Sequence, residues 1–299
     1  YTLSEYSPAI GSGINSINLY TIEYNLESYL DLSSGARPMP EDTNIDIGAY
    51  ENSLGANNHN SDIYVSINAG SNDGSVGLEA APFQTIQAAI NYALNGETIY
   101  VLPGTYPGGA SIINKGINFI STTPLGAIVN NNVNGSNTFT FSSNTGVFYS
   151  TITGFDLNKA STGSAYGIRA TGSHYVNIYK SKISNFTYAT STGASAIQAE
   201  NCLFINNDLT IYNDQCSTGS ENITPRLKNC TVINSGSIHN ACSTISLDVI
   251  NSIVLISDTD QNAYTSPPNF NKVITNDANI IPQENSTWEV APDQEVDIY

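Results

Sequence analysis

Three short blocks recur in this chain with a fixed internal pattern. Ser181-Lys-Ile-Ser-Asn185, Cys202-Leu-Phe-Ile-Asn206 and Cys230-Thr-Val-Ile-Asn234 each place a small residue, an apolar residue and an Asn at i, i+2 and i+4. They start 21 and 28 residues apart, and Ser252-Ile-Val-Leu-Ile256 follows 22 residues later without the Asn. A strand signal repeating every 20 to 30 residues constrains the fold severely. One such unit cannot bury its inner face alone, so successive units stack into a solenoid and pair backbone to backbone. Alternation within each strand sends one set of side chains inward and the other outward.

The same reading extends upstream. Candidate strands fall at 98–102, 117–121, 138–142, 150–157, 176–183, 202–206, 230–234 and 249–256, separated by Gly, Asn and Ser. They predict one strand per period in an all-β chain. Asn158, Asn185, Asn206 and Asn234 fall just past strands, where a residue tolerant of left-handed backbone and able to bond neighbouring amides can stack into a ladder. One segment breaks the period. From Phe83 to Asn95 the apolar positions 83, 86, 89, 90, 93 and 94 follow a helical template, with Pro82 at its start and Gly96 at its stop. Preceding the first unit, this helix is placed to cover the N-terminal end of the stack, which would otherwise keep adding strands.

Charge narrows the partners. Lys plus Arg is 9 against 26 Asp plus Glu, a formal charge of −17, and charged residues are 12% of the chain, about half the usual quarter. Nine basic residues do not readily supply the positive stripe that nucleic-acid binding needs, and an anionic membrane is repelled for the same reason. No apolar run is long enough for a membrane-spanning helix. Cys202, Cys216, Cys230 and Cys242 form no CxxC pair, and His59, His174 and His239 are scattered, so a zinc site is poorly supported. Cys202 and Cys230 hold equivalent repeat positions and read as stacked inward thiols. Cys216 and Cys242 fall in consecutive loops, where a disulfide between them is expected, with four buried thiols as the alternative.

Beyond periodicity there is a resemblance. Tyr64-Val-Ser-Ile-Asn-Ala-Gly-Ser-Asn-Asp-Gly74, Ala81-Pro-Phe-Gln-Thr-Ile-Gln-Ala-Ala-Ile90 and Gly96-Glu-Thr-Ile-Tyr-Val-Leu-Pro-Gly-Thr-Tyr106 closely resemble the N-terminal signature of pectate-lyase-like right-handed parallel β-helix proteins. Ser7-Pro-Ala-Ile-Gly-Ser-Gly13, Gly35-Ala-Arg-Pro38 and Asp46-Ile-Gly-Ala-Tyr-Glu51 look like the choice-of-anchor Q segment that follows such helices in bacterial surface proteins. The resemblance implies a right-handed parallel β-helix with one N-terminal capping helix, outside the cell or at its surface. It also implies this organisation: a cap or connector at 1–52, a linker at 53–61, the β-helix at 62–270 and a C-terminal connector at 271–299. The anchor-like segment precedes the helix here instead of following it. Joining Tyr299 to Tyr1 restores a continuous run, so the chain reads as one period of a head-to-tail array of copies, with Tyr1, Leu3, Asp297, Ile298 and Tyr299 at the junction. The copies are repeats of a longer polypeptide or separate subunits; a fragment of one protein with two β-helix modules is the alternative.

The resembled superfamily includes polysaccharide lyases, whose chemistry needs a basic residue to take a proton beside a uronate carboxylate and a cation, usually Ca²⁺, to neutralise it. On that reading Lys182 or Lys180 is the base, with Arg169 in the same basic group, and Asp156 together with Glu200 or Asp208 supplies the metal ligands. Alternation offers a plainer account, with Lys180 and Lys182 both on the outer face of one strand. Acidic turns such as Asn72-Asp73 and Asp258-Thr-Asp260 offer oxygen ligands for a structural Ca²⁺, without the spacing of a dedicated loop. No other cofactor is expected. The sequence therefore favours a structural repeat or subunit of an extracellular fibre or surface adhesin. A polysaccharide-active lyase or glycoside hydrolase, and a glycan-binding module using the 18 Tyr and 9 Phe, remain as alternatives.

Overall fold

The structure is a computed structural model of the 299-residue chain. It describes residues 13–19, 22–26, 29–34, 36–37, 45–47, 61–73, 77–132, 135–160, 165–213, 223–236, 238–240, 247–256, 269–275 and 287–289. The chain divides into two compact units, Tyr1–Asn60 and Ser61–Tyr299. In the first, β1 (Ser16–Leu19) and β2 (Ile22–Asn25) pair antiparallel. Gly13 donates its N–H to the Ile45 carbonyl at 2.7 Å.

The second unit opens with β3 (Asp62–Val65) and a helix, α1 (Ile86–Tyr92). Strands then follow in triplets. The first holds β4 (Thr98–Val101), β5 (Gly104–Pro107) and β6 (Ala110–Ile113). The second holds β7 (Asn118–Ser121), β8 (Ala127–Asn131) and β9 (Phe139–Ser142). The third holds β10 (Phe148–Thr153), β11 (Phe155–Lys159) and β12 (Tyr166–Thr171). The fourth holds β13 (His174–Tyr179), β14 (Lys182–Ser184) and β15 (Tyr188–Gly193). The fifth holds β16 (Ile197–Glu200), β17 (Leu203–Ile205) and β18 (Leu209–Asn213). The sixth holds β19 (Arg226–Lys228), β20 (Thr231–Ser235) and β21 (Ile238–Asn240). The long β22 (Asp248–Ile256), β23 (Asn269–Thr275) and β24 (Thr287–Glu289) complete the series.

Among the described residues the fold is all-β apart from that one short helix, and every described strand pair of this unit is parallel. Equivalent members of successive triplets pair, giving three stacks of strands. The first runs β3-β4-β7-β10-β13-β16-β19-β22, the second β5-β8-β11-β14-β17-β20-β22 and the third β6-β9-β12-β15-β18-β21. The spacing read from the repeat is the pairing register. Ile183 faces Phe204, Phe204 faces Val232 and Val232 faces Val254. The expectation of one strand per period falls short, because each triplet contributes three. Parallel pairing continues through β23 and β24, so the sequence boundary at 270/271 falls inside β23.

Because inward residues align in register, they form columns. Ile63, Ile99, Phe119, Ile152, Ile178, Ala199, Leu227 and Val249 line up in the first stack, and Tyr106, Val129, Leu157, Ile183, Phe204, Val232 and Val254 in the second. All are buried within one apolar cluster. At about 1.5–3 kcal/mol for each large side chain removed from water, these columns dominate the stabilisation.

Left-handed residues mark the corners. Leu125, Gly154, Lys180, Asn201, Asn229, Asn251 and Lys272 have φ between 48° and 78°. The first five each donate an N–H to a carbonyl of the next triplet at the same corner, as Asn201 does to Lys228 O and Asn229 to Ile250 O. Asn185, Asn206 and Asn234 form a second such column, joined by Asn185 N to Ile205 O and Asn206 N to Ile233 O. Asn158 is not in that column. It lies inside β11 and reaches it sideways, accepting from Asn185 Nδ2 at 2.6 Å. Asn relieves the steric cost that other L-residues incur in this backbone region.

The helix is shorter than its apolar pattern, Ile86–Tyr92 against 83–95. Thr85 is extended at φ −119° and ψ 147°, and its hydroxyl accepts from Ala88 N, so the helix starts only after it. Asn72 Oδ1 accepts from Gln84 N and Thr85 N and fixes the approach. Ala93 is already extended at the other end. Ile86, Ala89 and Ile90 are buried in the same cluster as Ile63, Ile99 and Ile112. Beside the helix, the segment 77–83 bonds the outer edge of β3, with Tyr64 N to Gly77 O, Ser66 N to Phe83 O and Phe83 N to Tyr64 O.

Candidate functional site

With the inward columns filled by apolar groups, chemistry is left to the outward ones. On the second stack Asp156 of β11 faces Lys182 of β14 in register, and Lys182 Nζ lies 3.0 Å from Asp156 Oδ2. The first stack repeats this arrangement two triplets on. Glu200 of β16 faces Lys228 of β19, with Nζ 3.0 Å from Oε1. Beside that pair Arg226 Nη2 donates to Gln198 Oε1 at 2.8 Å. In both pairs the carboxylate precedes and the lysine follows one strand later. Such half-exposed cross-strand pairs contribute about 0.2–1 kcal/mol each.

The sequence-based candidates fare unevenly. Lys182 and Asp156 are brought together, but as an ion pair with each other. Lys180 is not on the strand of Lys182. It sits exposed at the corner between β13 and β14 at φ 48°, where the expected strand 176–183 breaks in two. Arg169 lies on the third stack, its guanidinium 4.8 Å over the Tyr166 ring. Glu200 is engaged by Lys228, and Asp208 is exposed, its N–H donating to Phe186 O at 2.8 Å. Among the described residues no group of three or more His, Cys, Asp or Glu side chains lies together as a metal site. The second oxygen of Asp156, Oδ1, is buried and has no hydrogen-bond partner.

Lys228, Arg226 and Gln198 went unnoticed in the sequence. The signal was present: Arg226-Leu-Lys228 brackets an inward Leu, and the 28-residue offset that relates Cys202 to Cys230 also relates Glu200 to Lys228.

Aromatic rings also line the outside. Tyr166, Tyr188 and Tyr212 form a ladder on the third stack, with centroids 4.8 Å apart at each step. Tyr166 and Tyr188 stack, Tyr212 is tilted against Tyr188, and Arg169 lies over a face of Tyr166. All three rings are half-buried in this ladder.

Cys202 and Cys230 are buried free thiols immediately before β17 and β20, in line with the repeat. Each donates to its own corner carbonyl at 3.3 Å, Cys202 to Glu200 O and Cys230 to Lys228 O. Contact with Cys230, together with burial, raises the Cys202 thiol above its ordinary range. Ser181 and Ser252 occupy the same position in flanking tiers and bond likewise, to Tyr179 O and Ile250 O at 2.8 Å. Cys216 and Cys242 lie outside the described residues, as do the junction residues Tyr1, Leu3, Asp297, Ile298 and Tyr299.

No family model matches the chain. No curated protein matches it. Among solved structures, a rhamnogalacturonan lyase is similar at 11% identity and a TM-score of 0.38, over 72% of this chain and 73% of its own. Escherichia coli YbhC is similar at 14% identity and a TM-score of 0.38, over 81% of this chain and 87% of its own.

Proposed function

We propose that this chain is a right-handed parallel β-helix whose role is structural, a unit of an extracellular or cell-surface assembly that associates with further copies of itself. One observation carries the non-catalytic part: Lys182 and Lys228 are each tied to a carboxylate on the neighbouring strand. A lysine held against a carboxylate directs its Nζ at that partner and not at a substrate proton. Lys115 is spent on the carbonyls of Ile90 and Ala93, and Arg226 on Gln198. The outward faces read as cross-strand ladders, which serve a long stack directly.

The sealed edge of β3 bears on how copies would meet. Its outward backbone groups already bond Gly77 and Phe83. Association at that end therefore proceeds through side chains and not by adding a strand.

The test has two arms. The full chain is incubated with polygalacturonate and with rhamnogalacturonan, with and without Ca²⁺, and unsaturated uronides are followed. None is expected. Sedimentation velocity over a concentration series is expected to show a mass that grows with concentration. Uronide release that disappears in Lys182→Ala would establish a lyase instead, and a monomer at every concentration would remove the assembly role.

A further inference from the structure

A polar seam runs through the interior at the corner before the first stack. Ser150 Oγ, in β10, accepts from Ile117 N at 3.0 Å and lies 2.9 Å from Nε2 of His174, the first residue of β13. The His174 carbonyl accepts from Ser195 Oγ, just ahead of β16. Four consecutive tiers are thus joined by Ile117, Ser150, His174 and Ser195. Ser150 and His174 are fully buried and Ser195 is nearly so.

The hydrogen bonds set the state of the ring. Nδ1 faces the Ser142 carbonyl at 3.5 Å, which can only accept, so the ring proton is assigned to Nδ1. Nε2 then accepts from the Ser150 hydroxyl, whose oxygen takes the Ile117 N–H. The imidazole is neutral. The groups facing it are Ser150 and Phe148 from β10, Phe141 and the Ser142 carbonyl from β9, and Ser195 at its own carbonyl. None of these carries a charge.

We propose that His174 is an acid-sensitive latch that holds these tiers closed while neutral and lets them open when protonated. A proton on Nε2 turns the acceptor into a donor aimed at the Ser150 hydroxyl, and places a charge in a fully buried site where none of these neighbours offsets it. Burial lowers the pKa from 6.5 to about 4, against a smaller opposing effect of the Ser142 carbonyl. In an opened tier the ring meets water and regains its ordinary value. The open form then binds more protons than the closed one between those two values. Stability is complete above pH 6.5 and falls as the pH drops toward 4. From these values the opening equilibrium rises about 30-fold between pH 8 and pH 5.

Hydrogen exchange of the full chain, corrected for intrinsic rates, reads this directly. Peptides covering 139–153 and 166–179 are expected to open about 30-fold more at pH 5 than at pH 8, and His174→Gln to lose that increase. An equal acid response in His174→Gln, or none in the unaltered chain, overturns the latch. Should His174→Gln not fold, imidazole resonances of the unaltered chain decide. One of the three His still neutral at pH 5 supports the latch, and all three titrating at 6.5 or above defeat it.

Discussion

Lys115 Nζ donates to the Ala93 carbonyl at 2.7 Å and also to the Ile90 carbonyl. Residue 115 precedes β7, so this single side chain ties the second triplet to the end of α1. The two carbonyls are among those a helix end leaves without partners, and a cation there also suits the helix dipole. Burial lowers the Lys115 pKa, against a smaller raising effect of Glu97. Lys115→Met keeps the length and removes the donors. Its cost is expected to be about 1.5–3 kcal/mol, read as a lower denaturant midpoint. The first protection lost in hydrogen exchange is expected at 86–93. An unchanged midpoint would mean solvent satisfies the helix end equally well.

The corner column makes a sharper case for residue type. Asn229 sits at φ 52° between Asn201 and Asn251, and its Oδ1 accepts from Asn251 Nδ2 at 2.8 Å. Asn229→Gly is expected to be nearly neutral, trading a hydrogen bond for an unstrained backbone. Asn229→Val is expected to cost about 1–2 kcal/mol. The order of the two thermal midpoints is the measurement, and a Val variant as stable as the Gly variant would refute the left-handed assignment.

Charge order on the outer face can be exchanged. Lys228→Glu sets two carboxylates face to face across β16 and β19. It is expected to lower stability by about 1 kcal/mol at low salt and less at high salt. Adding Glu200→Lys restores an opposite pair and most of the loss. A double-mutant cycle in denaturant at two ionic strengths checks both statements, and additivity of the single changes would show that the pair contributes nothing.

The inward column is the least forgiving. Phe204 has no exposed surface and stands between Ile183 and Val232. Phe204→Ala is expected to cost about 3–5 kcal/mol, whereas exposed Ile113→Ala is expected to change stability by less than about 0.5 kcal/mol. Equal midpoints for the two variants would mean the stacks do not share one packed interior.

What was legible in the sequence follows from which side chains fill the core. The blocks at 181, 202, 230 and 252 stood out because each follows a corner and carries Ile, Phe or Val inward, so pattern and pairing register coincide. The third stack, of which only β9 falls on a candidate strand, 138–142, was otherwise hidden for the converse reason. Its inward residues include Thr190, Thr192 and Ala170, and Tyr188-Ala-Thr-Ser-Thr-Gly193 reads as a polar loop until neighbours above and below satisfy its hydroxyls, as Thr210 O does for Thr190 Oγ1 at 3.2 Å. Lys180 misled because a lysine at positive φ leaves no mark in sequence, and the strand was carried straight through it. Asp156 and Lys182 were both named from the sequence, but in separate roles. Their contact became visible only once the 26-residue offset between them proved to be one step of the second stack.

The unequal repeat lengths have a practical meaning. Ile183 to Phe204 spans 21 residues and Phe204 to Val232 spans 28, yet both pairs are in perfect register. The difference arises in the connection from the third stack to the next first-stack strand, which runs from Gly193 to Ile197 in one period and from Asn213 to Arg226 in the next. That joint absorbs length changes without disturbing alignment on either side. It is where foreign peptides could be grafted and where insertions would accumulate among relatives at least expense to the scaffold.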